Sequence, residues 1–231
     1  VSDPTGEVFY IRDEATGELF SPTAGPLRRQ GRHVARHGFG YSRFQHEVSG
    51  IGCDLVQFVP LHDPVKISRL ALRNLSGRVR RLTVVSYAEL VMGTTRTAAA
   101  PFVVTGHDAE TGAILAWNPW NIAFPDRVTF ADLGGAQTGF TTDRAAFLGR
   151  GGTVAAPLTL TEGLPLTGAV GAGLDPCLAL TRTVDLAPGA TITIDHFLGQ
   201  APSTEAARAL IRDWRATDLD ATLAGVATHW D

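Results

Sequence analysis

Apolar and polar residues alternate with a period of two through much of this chain, which leaves little room for anything but sheet. Tyr41 to Val48 and Ile51 to Val59 flank Ser49-Gly50, a two-residue hairpin signal. Such a loop sets Val48 opposite Ile51, His46 opposite Cys53 and Phe44 opposite Leu55. One face then carries Phe44, Val48, Ile51, Cys53, Leu55 and Val59, and the other Tyr41, Arg43, Gln45, Glu47 and Asp54. The first should be buried and the second solvated. A second pair, Val65 to Arg73 and Val79 to Leu90, is joined around Asn74-Leu75-Ser76-Gly77. A third, Cys177 to Leu186 and Thr191 to Leu198, turns at Ala187-Pro188-Gly189-Ala190.

Shorter strands are expected at Phe102 to Val104, Ala113 to Asn118 and Arg127 to Phe130. Thr141 to Pro176 is Gly-rich and irregular, with a short helix at Asp143 to Leu148. Helical periodicity is confined to the end of the chain. There Ser203 is an N-cap, Glu205 sits in the first turn, and Ala207, Leu210, Ile211 and Trp214 form a stripe. Many strands on short turns followed by helices indicate an all-β, antiparallel sandwich with short C-terminal helices. We divide the chain into a sandwich over 1–201 and helices over 202–231. Leu219, Leu223, Val226 and Trp230 make a further one-sided stripe that runs to the last residues. The chain opens at Val1 without Met, so it reads as an excised domain, and that stripe is expected to be left as an exposed apolar patch whose partner lies on a missing neighbour.

Composition narrows the function classes. The formal net charge of −3 over 231 residues gives no electrostatic case for nucleic acid or an anionic membrane surface. No apolar run approaches the roughly eighteen residues that span a bilayer, and no signal peptide is visible. The two cysteines, Cys53 and Cys177, lie in apolar-alternating segments and suit a reducing compartment.

Catalytic patterns are scarce. His33 and His37 on one strand would stand about 13 Å apart, too far for one ion, and His46 with Cys53 gives two ligands at most; no metal site is expected. There is no Gly-x-Ser-x-Gly elbow, and the glycines match neither phosphate-loop nor dinucleotide fingerprints. Asp13-Glu14, Asp108 with Glu110, and Asp218 with Asp220 sit where turns or helix starts use carboxylates. The segment from Ala116 to Phe124 is more suggestive. Trp117, Asn118, Trp120 and Asn121 offer indole faces beside amides, a combination that suits a sugar. The other reading is a loop whose tryptophans close one end of the sandwich.

Seven segments, in order, carry a resemblance. They are Tyr10 to Thr23, Arg36-His37-Gly38-Phe39-Gly40-Tyr41-Ser42, Phe58 to Lys66, Asn118-Pro119-Trp120-Asn121, Phe147-Leu148-Gly149-Arg150, Gly171 to Cys177 and Leu198-Gly199-Gln200-Ala201. Together they resemble the β-sandwich domain of glycoside hydrolase family 94, with wording similar to the phosphorylase-like region of cyclic β-1,2-glucan synthases. The resemblance implies a galactose-mutarotase-like β-supersandwich, a linker helix and then an (α/α)6 barrel beyond this chain. It implies inverting phosphorolysis of β-glucosides, with inorganic phosphate as co-substrate of the parent and no other cofactor. The general acid and most of the phosphate site would belong to the barrel, so no catalytic residue is assigned here and the fragment alone is expected to be inactive.

The same resemblance implies as partners a β-glucan oligosaccharide, the absent barrel and, in some relatives, a second copy in a homodimer, with no nucleic acid and no direct membrane contact. It implies a cytoplasmic location, compatible with the cytoplasmic part of an inner-membrane parent. Arg36, His37 and Tyr41 join Trp117, Asn118, Trp120 and Asn121 as candidate substrate-rim residues. For Arg36, His37 and Tyr41 an equal alternative is that Gly38 and Gly40 shape a tight turn that these side chains merely hold. Two other function classes stay open: a stand-alone β-glucan-binding module, and an aldose epimerase-like enzyme needing a convergent His and Glu.

Overall fold

The computed structural model describes residues 6–231. Thirteen strands form two antiparallel sheets. The strands are β1 (Glu7–Asp13), β2 (Leu19–Phe20), β3 (His33–Gly38), β4 (Tyr41–Val48), β5 (Ile51–Phe58), β6 (Val65–Asn74), β7 (Arg80–Glu89), β8 (Val104–His107), β9 (Ile114–Trp117), β10 (Val128–Asp132), β11 (Gly139–Asp143), β12 (Pro176–Leu186) and β13 (Thr191–Ala201). Five helices complete the fold: α1 (Arg96–Ala99), α2 (Arg144–Leu148), α3 (Leu158–Thr161), α4 (Thr204–Ala216) and α5 (Leu219–Trp230). One sheet is ordered β11-β12-β7-β1-β2, the other β3-β4-β5-β6-β13-β10-β9-β8.

The β4–β5 hairpin has the expected register, with Val48 opposite Ile51, His46 opposite Cys53 and Phe44 opposite Leu55. Its turn places Ser49 and Gly50 at φ 50° and 76°, the double left-handed geometry whose twist matches the flanking strands. Two details differ. Val59 lies beyond β5 and is exposed, while Phe58 is buried on the opposite face. That face is apolar where Tyr41, Val56 and Phe58 meet the C-terminal helices, and polar only farther along.

The other two expected pairs are not hairpins. β6 lies in the eight-stranded sheet and β7 in the five-stranded one; β12 and β13 are divided likewise. Each connector carries the chain across the sandwich, and the inward residues of both partners then meet in one core. Leu70, Leu72, Leu82, Val84, Leu178, Leu180 and Ile194 are buried there together. Phe102 ends a 3-10 turn over Ala100–Phe102, with Pro101 at its start, so β8 begins later than expected, at Val104.

Helices cover both outer faces. α2 and α3 lie over the five-stranded sheet, where Phe147, Leu148 and Leu160 pack with Tyr10 and Tyr87. α4 and α5 lie over the eight-stranded sheet. Ser203 caps α4, and Ala207, Ile211 and Trp214 pack on Phe130 and Phe197. Burial of large side chains such as Ile211 contributes roughly 1.5–3 kcal/mol each. Arginines then pin α4 to the sheet. Arg208 Nε donates to Asp108 at 2.9 Å and Arg215 Nε to Asp132 at 2.9 Å. Burial alone would push the Asp108 carboxyl up, but Arg208 and the hydroxyl and amide of Thr111 outweigh it and hold it down at about 2.

α5 corrects a second expectation. Asp218 caps it, Leu219 and Val226 are buried against the sandwich and Leu223 is half-buried. The stripe therefore has its partner within this chain, and only Trp230, 58% exposed, stays largely open.

Candidate functional site

Register divides the sandwich into two unlike ends. The Ser49–Gly50 turn and the crossings 75–79 and 187–190 share one end. The opposite end gathers the β3–β4 turn, the β5–β6 loop, the loop after β7, the β9–β10 loop and the tip of α5. Exposed large apolar side chains collect at this loop end. Phe39, Val59, Leu61 and Trp230 stand on one side of it, and Val91, Phe102, Trp120, Ile122 and Phe124 on the other. The turn end shows Leu75 and Val79.

Phe102, Trp120, Ile122 and Phe124 of the second group line a groove of about 700 Å³ between the 92–102 and 118–124 segments. Trp120 is 73% exposed and Ile122 fully so. Trp120 and Phe102 lie with ring centroids 5.3 Å apart. The two amides do not face this groove as free sugar-binding groups. Asn118 Nδ2 donates to the Met92 carbonyl at 3.0 Å and Asn121 Nδ2 to the same oxygen at 3.2 Å. Their oxygens accept from the Trp120, Ala123 and Phe124 amides. The Asn-Pro-Trp-Asn motif thus ties two loops together through one backbone carbonyl.

Trp117 is placed elsewhere. It ends β9 pointing to the side covered by α4, with its ring against Gly106. Of the four residues proposed from this segment, Trp120 alone presents a largely free face. Phe102 and Val91 were not foreseen as part of the site; the apolar residues beside Gly93 and Pro101 were the available signal.

An ionic cluster braces the groove from behind. Glu89 accepts from Arg144 Nε at 2.8 Å and from the Tyr87 hydroxyl at 3.1 Å. Arg96, on α1, pairs with Asp175, with its Nε 3.8 Å from Glu89. The cluster is alternately charged and internally paired, which favours rigidity over proton transfer.

Arg36, His37 and Tyr41 do not converge as one cluster. His37 and Ser42 lie on the inward-facing side of the β3–β4 ribbon, with His37 Nδ1 2.9 Å from Ser42 Oγ and the Phe44 ring edge-on. Arg36 lies on the other face, bonded to Gln45 beside the Arg43–Asp54 pair. Tyr41 lays its ring where a side chain on Gly38 would be, and Gly40, at φ 76°, meets Val226 and Trp230. Gly38 thus makes room for the Tyr41 ring and Gly40 forms a seat for α5. Tyr41, His37 and Trp230 also border a neighbouring groove of about 820 Å³ with His62, His229 and Lys66.

Carboxylates are committed to structure. Asp13 accepts from Ala15 and Thr16 and pairs with Arg80, Asp108 holds Thr111, and Asp218 caps α5. Burial pushes both thiols up, Cys53 to about 12, so neither is a ready nucleophile. Among the described residues no His, Cys, Asp and Glu group of three or more could hold a metal. No hydrogen bond joins a histidine to a glutamate among them, and no helix is long and apolar enough to cross a membrane.

The chain resembles parts of larger proteins. It is 34% identical over 226 residues to the cyclic beta-(1,2)-glucan synthase of Rhizobium meliloti, covering 97% of this chain and 8% of that protein. It is 33% identical over 208 residues to the solabiose phosphorylase of Paenibacillus borealis, covering 88% of this chain and 27% of that protein. Among solved structures, a bacterial glucoamylase complexed with acarbose superposes with a TM-score of 0.64 at 8% identity, over 97% of this chain and 31% of that one, a likeness of fold. The model of the glycosyl hydrolase 94 supersandwich domain matches residues 1–217. The chain belongs to the glycosyl hydrolase 94 supersandwich domain family.

Proposed function

We propose that this domain is a non-catalytic scaffold of a longer glucan-processing polypeptide. Its loop end docks against a catalytic barrel and shapes the rim of that barrel's glucan cleft. The observation that carries the reading is the apolar loop end, whose two side-chain amides are engaged in fastening its own loops. A sugar needs hydrogen-bonding groups that the protein has left free, whereas an apolar protein surface needs contact area and excluded water. Val91, Phe102, Ile122 and Phe124 supply the second. The identity to a glucan synthase and to a phosphorylase gives the reading its chemistry, and inorganic phosphate would enter at the barrel.

The test is direct. The purified chain, given β-1,2-glucan and phosphate, should release no glucose 1-phosphate; release would overturn the reading. A second reading, a stand-alone β-glucan-binding module, is favoured by the exposed Trp120 and its Phe102 neighbour. Calorimetry separates the two. A scaffold gives no heat with β-1,2-glucan, whereas a module gives heat that Trp120→Ala weakens. An aldose epimerase would accelerate mutarotation, and the scaffold reading requires a flat assay.

A further inference from the structure

His33 opens β3 and sits directly across the ladder from His46 on β4. Their rings stack with centroids 3.6 Å apart and planes 26° apart. His46 is buried, and its Nδ1 meets the Ser21 carbonyl at 3.0 Å. Three other ring nitrogens, His46 Nε2 and both of His33, are buried without a partner. Buried polar atoms left unpaired are costly, and a charge there costs far more. Neutral rings tolerate this stack; a proton on His33 places a cation against the His46 face with no carboxylate to offset it. Burial, and then His46, pull the His33 ring below the usual imidazole range, against the nearby Arg29 and Pro22 carbonyls.

The surroundings offer no counter-charge. The Arg29 guanidinium is turned to the Leu19 carbonyl. The Cys53 thiol, opposite His46 on β5, is held neutral by burial. Glu47, Arg43, Asp54 and Arg36 occupy the other face of the ribbon, and Arg32 is exposed. β3 is also the edge of the eight-stranded sheet. The other edge, β8, is covered by Gly171, and β11 of the second sheet by Gly168 and Ala169. Opening β3 therefore breaks one ladder only.

We propose that the His33–His46 stack is an acid-sensitive latch, whose protonation frees the edge strand β3, residues 33–38, from β4. The far end of β3 runs into the turn whose Gly40 seats α5, so release loosens the loop end as well.

Hydrogen exchange at pH 7.5 and 5.0, corrected for intrinsic rates, tests this. The expected result is a loss of protection across residues 33–38 at pH 5.0 that is at least tenfold greater than any loss in β7 and β12, which report the stability of the whole fold. His33→Phe keeps a stacked ring that takes no proton, and should hold the acid loss in β3 to that seen in β7 and β12. Unchanged protection in the native chain, or the same acid response in His33→Phe, would overturn the latch. Should that variant fail to fold, imidazole nitrogen spectra of the native chain decide. Ring protonation must coincide with exchange broadening of the β3 amides, and protonation that leaves those amides unmoved refutes the proposal.

Discussion

His196 shows how one side chain sets a pH limit on the fold. It lies between the sheets near the loop end, edge-on to Phe9 at 5.5 Å, and burial depresses its pKa from 6.5 to about 4, against the pull of Glu7 and Asp132. Its neutral form belongs to the fold, while the unfolded chain takes up a proton first. This contribution is therefore complete above about pH 6.5 and is lost as pH falls toward 4, at a total of about 3 kcal/mol. Denaturant titrations across that window should show the loss in the native chain, and His196→Leu should flatten it. Asp108 acts in a separate window, with its share lost only as pH falls below about 4 toward 2. At this scale sequence reading has a clear boundary. Asp218 was legible as a turn or helix-start carboxylate because the task is local. That Asn118 and Asn121 converge on Met92 was not, because the shared carbonyl lies more than twenty residues away.

Among elements, the β3–β4 turn and α5 depend on each other. A Cβ on Gly40 would fall 2.6 Å from Val226 Cγ1 and 2.7 Å from Trp230 Cδ1, in a backbone region that disfavours side chains. Gly40→Ala should cost about 1–3 kcal/mol in denaturant midpoint and raise exchange in α5 ahead of the sheets. An α5 as protected as in the native chain would show that the seat is dispensable. The β4–β5 hairpin could be read residue by residue, since an alternating face and a two-residue turn fix register locally. The crossings at 75–79 and 187–190 could not. Both β6 and β7 present one apolar face, and that pattern is the same whether they pair or face each other across a core. α5 misled for a related reason, because its stripe announced that a partner exists without saying where.

The whole molecule is a stack of layers with a turn end that exposes Leu75 and Val79 and a loop end far richer in exposed apolar side chains. Apolar groups at the loop end are exposed in this chain, so replacing them should leave the fold's stability within about 0.5 kcal/mol. The triple change Trp120→Ser, Ile122→Ser, Phe124→Ser should keep the denaturant midpoint while lowering dye binding and concentration-dependent self-association in light scattering. A large fall in midpoint would mean that these side chains serve the core. Fold class and the placement of α2, α4 and α5 were legible because strand period and caps can be read along the chain. The single-turn helices α1 and α3 carry no such pattern. The apolar end was not legible, because it is assembled from four separate connections and the tip of α5, which only the folded register brings together.

A single oxygen, that of Met92, receives the amides of both Asn118 and Asn121, so two loops are fastened at one rivet. Such a surface meets whatever covers it already shaped. Each side chain frozen beforehand spares roughly 0.5–1.5 kcal/mol that a floppy contact would forfeit on association. A partner could then grip a modest area and still let go slowly.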